Sequence, residues 1–403
     1  MKISTWKWRI DMSNRRTWEA GKDILHVLHQ AGFEAYFVGG AVRDRVLGKE
    51  ATDIDIATNA LPHEVKNVFP KTIDVGIAHG TVVILHQNEA LEVTTFRTDG
   101  EYEDHRRPKD VLFVRSLEED LKRRDFTMNA MAMTIDEEII DLFGGIKDIE
   151  YQVIQTVGNP KLRFTEDALR MLRAVRFSSQ LGFQLEKKTS EAIAKQASNI
   201  KHVSIERITK ELEKIWVSNN PYKGVQHLVE TKLAENLPGN LQWHPELWKH
   251  FDSCNRSGYG WAFLSLLQRK SSSVFISSLY KLSNHQKQTI KFINQAVEIR
   301  LKGPYAIETI YNFDEDTLLI AEEFTRILYP AIAHMDVQNI ERMKRSLPIQ
   351  SMKDLTVSGN DLIDWMQKPG GPWIQQMLKD LVTAILNNEV GNHPERIKEW
   401  IMK

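Results

Sequence analysis

Two neighbouring segments, Val38-Gly39-Gly40-Ala41-Val42-Arg43-Asp44 and Thr52-Asp53-Ile54-Asp55-Ile56-Ala57-Thr58, set the architecture of the first part of the chain. Ala35–Val38 is a short apolar and aromatic run with the composition of a strand. It ends on a double glycine, after which Gly40–Leu47 carries a helical pattern. A strand, a glycine turn and a helix in that order let backbone N–H groups approach a phosphate closely, with Arg43 one turn in as a counter-charge. Asp53–Ala57 is spaced as a second strand. Residues i and i+2 of a strand share a face, so Asp53 and Asp55 point one way while Ile54 and Ile56 point the other. Two adjacent carboxylates repel and raise one another's pKa. A bound Mg²⁺, which takes hard oxygens and usually one or two carboxylates plus substrate phosphates, removes that conflict. A bare Asp-x-Asp is more often a solvated turn, but here the isoleucines point to a buried back face. Glu92 lies on another strand-like run, where Glu92, Thr94 and Phe96 alternate with Leu91, Val93 and Thr95, and can supply a third ligand, which makes Asp53, Asp55 and Glu92 the candidate catalytic carboxylates.

Outward from this stretch, strand-length runs recur at Thr81–Leu85, Leu91–Phe96, Val111–Val114 and Met128–Ile135. Asp99-Gly100, Pro108 and Gly144-Gly145 separate them as turns. Helical patterns cover Thr17–Gln30 and Pro62–Val68, so the first 150 residues read as an α+β domain built on one sheet. After Gly158 the texture changes. Phe164–Leu181, Lys187–Ile200, Ser204–Val217 and most of the remainder place apolar residues at i, i+3 and i+4, which predicts helices. Pro221, Pro238, Gly303-Pro304 and Pro348 are expected breaks. Seven of the ten tryptophans lie from Trp216 onward, and on amphipathic helices core packing is favoured over stacking on nucleobases.

At 403 residues the chain exceeds one compact core, and two to four domains are expected. Its 42% apolar and 27% charged residues exclude disordered, collagenous and coiled-coil classes. No stretch approaches the roughly 18–20 apolar residues of a membrane helix, so no membrane partner is expected. The polar Met1–Arg16 segment does not read as a secretory signal. The lone Cys254 cannot form an internal disulfide or a cysteine-rich zinc site, which predicts a reducing, cytoplasmic setting. Fifty-three Lys and Arg balance 54 Asp and Glu, so any surface for nucleic acid must be local. From Lys161 to Val217 there are 12 basic against 7 acidic residues, an excess that suits phosphate.

Gly39-Gly40-x-Val42-Arg43-Asp44 with Asp53-x-Asp55 resembles the first motif of the class II tRNA nucleotidyltransferases, the CCA-adding enzymes, which the bacterial poly(A) polymerases share. Arg123-Arg124-Asp125-Phe126-Thr127-Met128-Asn129-Ala130 is similar to the second motif, and Asp141-Leu142-Phe143-Gly144-Gly145 to the third. Glu166-Asp167-Ala168-Leu169-Arg170-Met171-Leu172-Arg173-Ala174-Val175-Arg176-Phe177 resembles the fourth, and Ser204-Ile205-Glu206-Arg207-Ile208 a weaker fifth. All five stand in family order; beyond them only Ser358-Gly359-x-Asp361-Leu362 and Pro372-Trp373 carry likeness. The resemblance implies a nucleotidyltransferase-like head with one mixed sheet over 1–150. Helical neck, body and tail domains would follow over 151–217, 218–300 and 301–403. It implies template-independent addition of CCA to the 3′ end of tRNA from CTP and ATP, with pyrophosphate released by two-metal transfer. Asp53 and Asp55 would hold Mg²⁺, and Gly40 and Arg43 the triphosphate. Arg124 and Asp125 would meet the ribose, and Arg173 and Arg176 the nucleotide. A flexible loop needed for A addition falls on Asp99–Asp110. The acceptor and TΨC arms of tRNA would lie along the helical part.

The fourth motif also supports a physical argument about base choice. Thr165 reads as a helix N-cap, with Glu166 and Asp167 in the first turn against the positive helix end. That accounts for the acids but not for Arg170, Arg173 and Arg176. Asp167 and Arg170 are neighbours at i, i+3, and an ion pair between them is the ordinary reading. A carboxylate only accepts hydrogen bonds and a guanidinium only donates. Cytosine and adenine each present an amino donor beside a ring-nitrogen acceptor, whereas guanine and uracil present a carbonyl beside a ring N–H. One Asp–Arg pair therefore suits C and A and mispairs with G and U, at a cost of a few kcal/mol in a desolvated site.

Two rivals stand beside this reading. A poly(A) polymerase is expected to carry a longer basic C-terminal extension and an arginine-rich cluster after Thr81–Leu85, and this chain ends at Lys403 without either. A catalytically silent RNA-binding protein on the same scaffold would be favoured by loss of either aspartate, and both are present. A homodimer is left open by the letters.

Overall fold

The amphipathic segment Arg15–Gln30 forms α1, burying Trp18, Ile24, Leu25 and Leu28 against the first strands. A Cβ at its Gly21 would come within 2.6 Å of the Phe37 ring, so the helix lies very close to the sheet there. A computed structural model describes residues 15–51, 53–76, 79–99, 102–103, 107–108, 111–268 and 273–403. Most of the loop expected over Asp99–Asp110 lies outside the described residues. The chain divides into two compact units, Met1–Pro245 and Glu246–Lys403.

The first unit is built on a seven-stranded mixed sheet. In chain order its elements are β1 (Ala35–Val38), α2 (Gly40–Val46), β2 (Asp55–Thr58), α3 (Pro62–Val68), β3 (Thr72–Gly76), β4 (Thr81–His86) and β5 (Glu89–Thr95). Short ladders follow, with β6 (Arg97–Asp99) paired to β9 (Val111–Phe113), and β7 (Tyr102–Glu103) to β8 (Arg107–Pro108). Then come α4 (Leu117–Lys122), β10 (Met131–Met133), β11 (Ile139–Asp141), α5 (Gly145–Glu150) and β12 (Val153–Ile154). The strands lie in the order β11-β10-β1-β2-β5-β4-β3, antiparallel throughout except for the parallel pair β2–β5. One sheet face packs Val38, Ala57, Phe96 and Ala132 against Leu121 of α4.

Three expectations need correction. β2 begins at Asp55, not Asp53, because its last partner on β1 is Val38 and β1 gives way there to the glycine turn. Asp53 sits in the preceding bend, although burial still alternates, with Asp53 and Asp55 exposed and Ile54 and Ile56 buried. Met128–Ile135 is not one strand: Thr127–Asn129 winds a 3₁₀ turn before β10. The fourth motif is not one helix. Asn159 caps α6 (Pro160–Glu166), Asp167 leaves the helical conformation (φ −139°, ψ 105°), and α7 (Leu169–Leu181) starts afresh. Thr165 is therefore no N-cap; it lies inside α6 and its hydroxyl donates to the Lys161 carbonyl at 2.9 Å. The Asp167 carboxylate instead receives the Leu169 N–H at 3.0 Å and ties off the new helix.

Helices dominate the rest of the first unit. β13 (Gln184–Leu185) pairs with β12, and α8 (Lys187–Gln196), α9 (Ile205–Trp216), α10 (Pro221–Glu230) and α11 (Leu233–Asn236) follow. The second unit is wholly helical among the described residues, from α12 (Ser257–Leu266) and α13 (Ser273–Leu279) through α14 (Asn284–Arg300), α15 (Ile307–Asn312) and α16 (Glu315–Leu328). It continues with α17 (Val337–Arg345), α18 (Gly359–Met366), α19 (Pro372–Leu386) and α20 (Pro394–Ile401). Trp248, Phe251, Phe263 and Phe324 stack into one aromatic cluster. Trp216, Trp243, Trp248 and Trp261 are buried, so packing is what these four do. No helix among the described residues is long and apolar enough to cross a membrane.

Candidate active site

A cleft of about 660 Å³ opens in the first unit where α2, β2, α7 and α9 converge. Its wall carries eight arginines and one lysine against five aspartates, a surplus of cations suited to a polyanion. Of the residues singled out from the sequence, Gly40, Arg43, Asp53, Asp55, Arg124, Asp125, Asp167, Arg170, Arg173 and Arg176 all line it.

The glycine turn and the carboxylates meet. Gly39 adopts φ +70° and ψ −130°, the mirror image of the β region, which only glycine visits readily. A Cβ built there would stand 2.8 Å from Arg124 Nη1 and 4.0 Å from Asp55 Oδ2, so the turn, the guanidinium and the carboxylate share one small space. Although Asp55 is open to solvent, desolvation by the surrounding cleft wall raises its pKa; Arg124 opposes this, while the charges of Glu92 and Asp53 raise it further. Desolvation is the largest cause and the crowding of like charges adds to it, and a divalent cation would offset both. Glu92 stands beside Asp55 in the parallel register of β2 and β5, outside the residues that line the cleft. Among the described residues no group of three His, Cys, Asp or Glu is close enough to hold a metal by protein ligands alone. Two carboxylates with substrate phosphates completing the shell remain the fitting arrangement for Mg²⁺.

The second motif is held from two sides. Arg124 donates to Asp120 at 3.0 Å, and its buried Nε has no hydrogen-bond partner. Asp125 is buried; its Oδ1 receives the Phe126 N–H at 2.9 Å and its Oδ2 the Arg173 Nε–H at 2.7 Å. Burial alone would raise its pKa, yet the Arg173 guanidinium and the Asn129 amide bring it down to about 2.

In the fourth motif Asp167 and Arg170 do not form the plain ion pair that is the alternative to base reading; each has other partners. Arg170 donates to Glu166 at 2.6 Å and to the Arg123 carbonyl at 3.1 Å, bracing the junction of α6 and α7. Asp167 is held instead by Arg207, 2.8 Å from Nη2 to Oδ2 and 3.4 Å from Nη1 to Oδ1. Because the chain breaks between them, positions 167 and 170 do not share a helical face as the i, i+3 spacing assumed. Arg176 forms a buried ion pair with Glu211 at 2.5 Å and covers the Phe177 ring at 3.8 Å. Arg43 donates to Asn129 at 2.7 Å and to Asp44 at 2.9 Å.

The cleft also contains Asp44, Arg97, Arg123, Asn129, Phe177, Arg207 and Lys214, which the sequence reading did not assign. Asp44, Arg123, Asn129, Phe177 and Arg207 stand inside quoted motifs, so their position was signalled though their contacts were not. Lys214 follows Arg207 by two helical turns on α9, a spacing that could have linked them.

Residues 35–155 match the family described as poly A polymerase head domain, and 182–243 that described as a probable RNA and SrmB-binding site of polymerase A. Residues 252–401 match a putative tRNA nucleotidyltransferase domain 2. The CCA-adding enzyme of Geobacillus sp. (strain WCH70) is 44% identical over 390 residues, spanning 94% of this chain and 95% of the relative. The chain belongs to the CCA-adding enzyme family. Within that family, the enzyme of Bacillus cytotoxicus is 45% identical over 383 residues, covering 94% of this chain and 96% of its own. The crystal structure of the Bacillus stearothermophilus CCA-adding enzyme in complex with CTP is similar at a TM-score of 0.82 and 39% identity, covering 96% of each chain.

Proposed function

We propose that this member of the CCA-adding family extends the 3′ end of tRNA with C, C and A, using CTP and ATP and no nucleic-acid template, in the cleft of the first unit. In each step the primer 3′-oxygen bonds to the α-phosphorus. The bond from that phosphorus to the bridging oxygen breaks, and pyrophosphate leaves. The observation that carries this reading is the meeting of Asp55, Arg124 and the Gly39 turn within one small space.

Asp53 and Asp55 would hold Mg²⁺. Bound there, the metal would ease ionisation of the primer hydroxyl and steady the leaving pyrophosphate, two ions being the arrangement we propose. Glu92, beside Asp55 in register, would add negative charge to the site rather than a ligand. Gly39 and Gly40 leave room for the triphosphate to approach the backbone, with Arg43 and Arg124 as its counter-charges. Asp125, held ionised by Arg173, would accept from a ribose hydroxyl. Asp167 would accept from the amino group of cytosine or adenine, and Arg170 would donate to the ring nitrogen beside it. Arg173 and Arg176 would complete the nucleotide wall. The family match over 35–155 supports a head domain at 1–150, and we retain 151–217, 218–300 and 301–403 as neck, body and tail. A cytoplasmic setting, suited to the free, exposed Cys254, completes the proposal.

The decisive measurement is incubation of the purified protein with tRNA lacking its 3′ CCA and with each NTP singly and together. Product ending in CCA supports this reading. A long A tail would make the chain a poly(A) polymerase, and absence of any extension would leave an RNA-binding protein.

A further inference from the structure

We infer that Arg207 is a specificity-determining positioning residue, which fixes the Asp167 carboxylate in the orientation from which it selects the incoming base. This rests on the proposal that Asp167 reads the base. Asp167 sits at the break between α6 and α7: its N–H bonds the Arg163 carbonyl and its carbonyl receives the Arg170 N–H, but its own dihedrals are extended, so no unbroken helix sets the direction of its side chain. Two donors set it instead. The Leu169 N–H bonds Oδ1 at 3.0 Å from within the same segment, and Arg207 reaches across from the first turn of α9, forty residues away, to Oδ2 at 2.8 Å and Oδ1 at 3.4 Å. The Leu169 contact alone leaves the carboxylate able to swing about it. The planar guanidinium engages both oxygens, which fixes the carboxylate plane as well as its position.

The arrangement leaves acceptor capacity where it is needed. A carboxylate offers about four lone-pair sites. The bonds from Leu169 and Arg207 occupy three of them, and Asp167 and Arg207 both border the cleft. An amino group on cytosine or adenine can therefore be received without displacing Arg207. A base carbonyl in the same place meets only acceptors, so a carboxylate that cannot rotate away rejects uracil and guanine more firmly than a mobile one. Three other arginines of the cleft are committed elsewhere: Arg170 to Glu166, Arg173 to Asp125 and Arg176 to Glu211.

The test is a cycle of full-length enzymes, Arg207→Gln, Arg207→Lys, Asp167→Ala and the double variant Arg207→Gln with Asp167→Ala. kcat/KM for CTP and for UTP would be measured on tRNA lacking CCA, and melting temperatures recorded for all. The expected result for Arg207→Gln is a CTP-over-UTP preference reduced roughly 10-fold, through loss of CTP use and gain of UTP use together. A merely structural role would lower both nucleotides alike. Arg207→Lys, which keeps one charged donor, should recover part of the preference. In the Asp167→Ala background, Arg207→Gln should change the preference no further. If Asp167→Ala keeps wild-type selectivity, the base-reading proposal itself falls. If Asp167→Ala loses selectivity while Arg207→Gln or Arg207→Lys keeps it in full, only the role of Arg207 is overturned. Should Arg207→Gln melt before assay temperature, the Arg207→Lys ratio decides: unchanged preference overturns the inference and a partial loss supports it.

Discussion

At Asp55 function and stability pull in opposite directions. Its pKa is raised by desolvation in the cleft and by the charges of Glu92 and Asp53, so folding places an ionised carboxylate where it is less comfortable than in water. Asp55→Asn should therefore abolish nucleotide addition, lowering kcat by about 10³-fold or more, while the melting temperature at pH 7 stays level or rises. A variant that melts lower would show that the carboxylate holds the fold together. Asp125 is the reverse case. Its pKa falls to about 2 because Arg173 and Asn129 bond the charged form. The stability it contributes is in full above the ordinary carboxylate pKa and is lost as pH falls from about 4 toward 2, amounting to about 2 kcal/mol. Acid titration of unfolding should show this loss in the wild type and a flatter profile in Asp125→Asn; identical slopes would refute the pairing. Asp55 stood out in the sequence by its spacing from Asp53 and its isoleucine neighbours, and Asp125 only through the family likeness of its motif. Their opposite electrostatics did not, since the partners come from β5 and α7, distant in the chain.

At the scale of elements, the turn between β1 and α2 accepts no side chain. Gly39 lies in the mirror-β region, and a Cβ there would come within 2.8 Å of Arg124 Nη1. Gly39→Ala should cost about 1–3 kcal/mol of stability and, by pushing Arg124 aside, weaken nucleotide binding beyond what the stability loss explains. A variant with normal KM for CTP would separate the turn from the nucleotide. Gly224 on α10 is a matching test away from the cleft: a Cβ there would meet Ile215 Cγ2 at 2.6 Å and Ser179 Oγ at 2.9 Å. Gly224→Ala should destabilise by about 1–3 kcal/mol through overpacking of α10 on α7 and α9, measured by urea unfolding. Glycine doublets and helical periodicity are local, so β1, α1, α2 and α3 were legible almost to the residue. The β2 start and the α6–α7 break were not. The first depends on where β1 ends, and the second on a carboxylate that caps a new helix in mid-motif. That break is also why the i, i+3 pairing of Asp167 with Arg170 failed: the spacing rule holds only along an unbroken helix.

Across the whole chain, sequence texture separated an α+β beginning from a helical remainder because period-2 and period-3.6 patterns differ over long windows. Where the helical remainder parts into units is a question of which helices share a core, and periodicity does not carry that. In the second unit the apolar cluster is drawn from residues between Ile299 and Ile401, with Leu318, Ile340, Leu381 and Ile385 at its centre. The aromatic stack of Trp248, Phe251, Phe263 and Phe324 joins α12 to α16 within the same unit. A buried pair, Arg300 with Glu322 at 2.6 Å, fixes α14 on α16, and the Met335 N–H bonds the same carboxylate at 2.7 Å. This apolar cluster, these aromatic contacts and this satisfied buried charge all lie within Glu246–Lys403. A fragment with those bounds should fold without the first unit and unfold in a single cooperative transition, with an enthalpy near 0.7 kcal/mol per residue at about 60 °C. Calorimetry checks it against the denaturant slope expected for a chain of that length. A broad, shallow transition with dye-binding apolar surface at 25 °C would show instead that this core is completed only in the full-length protein. Glu322→Gln in the same fragment sharpens the test, since leaving the Arg300 guanidinium buried without its countercharge should cost about 3–5 kcal/mol.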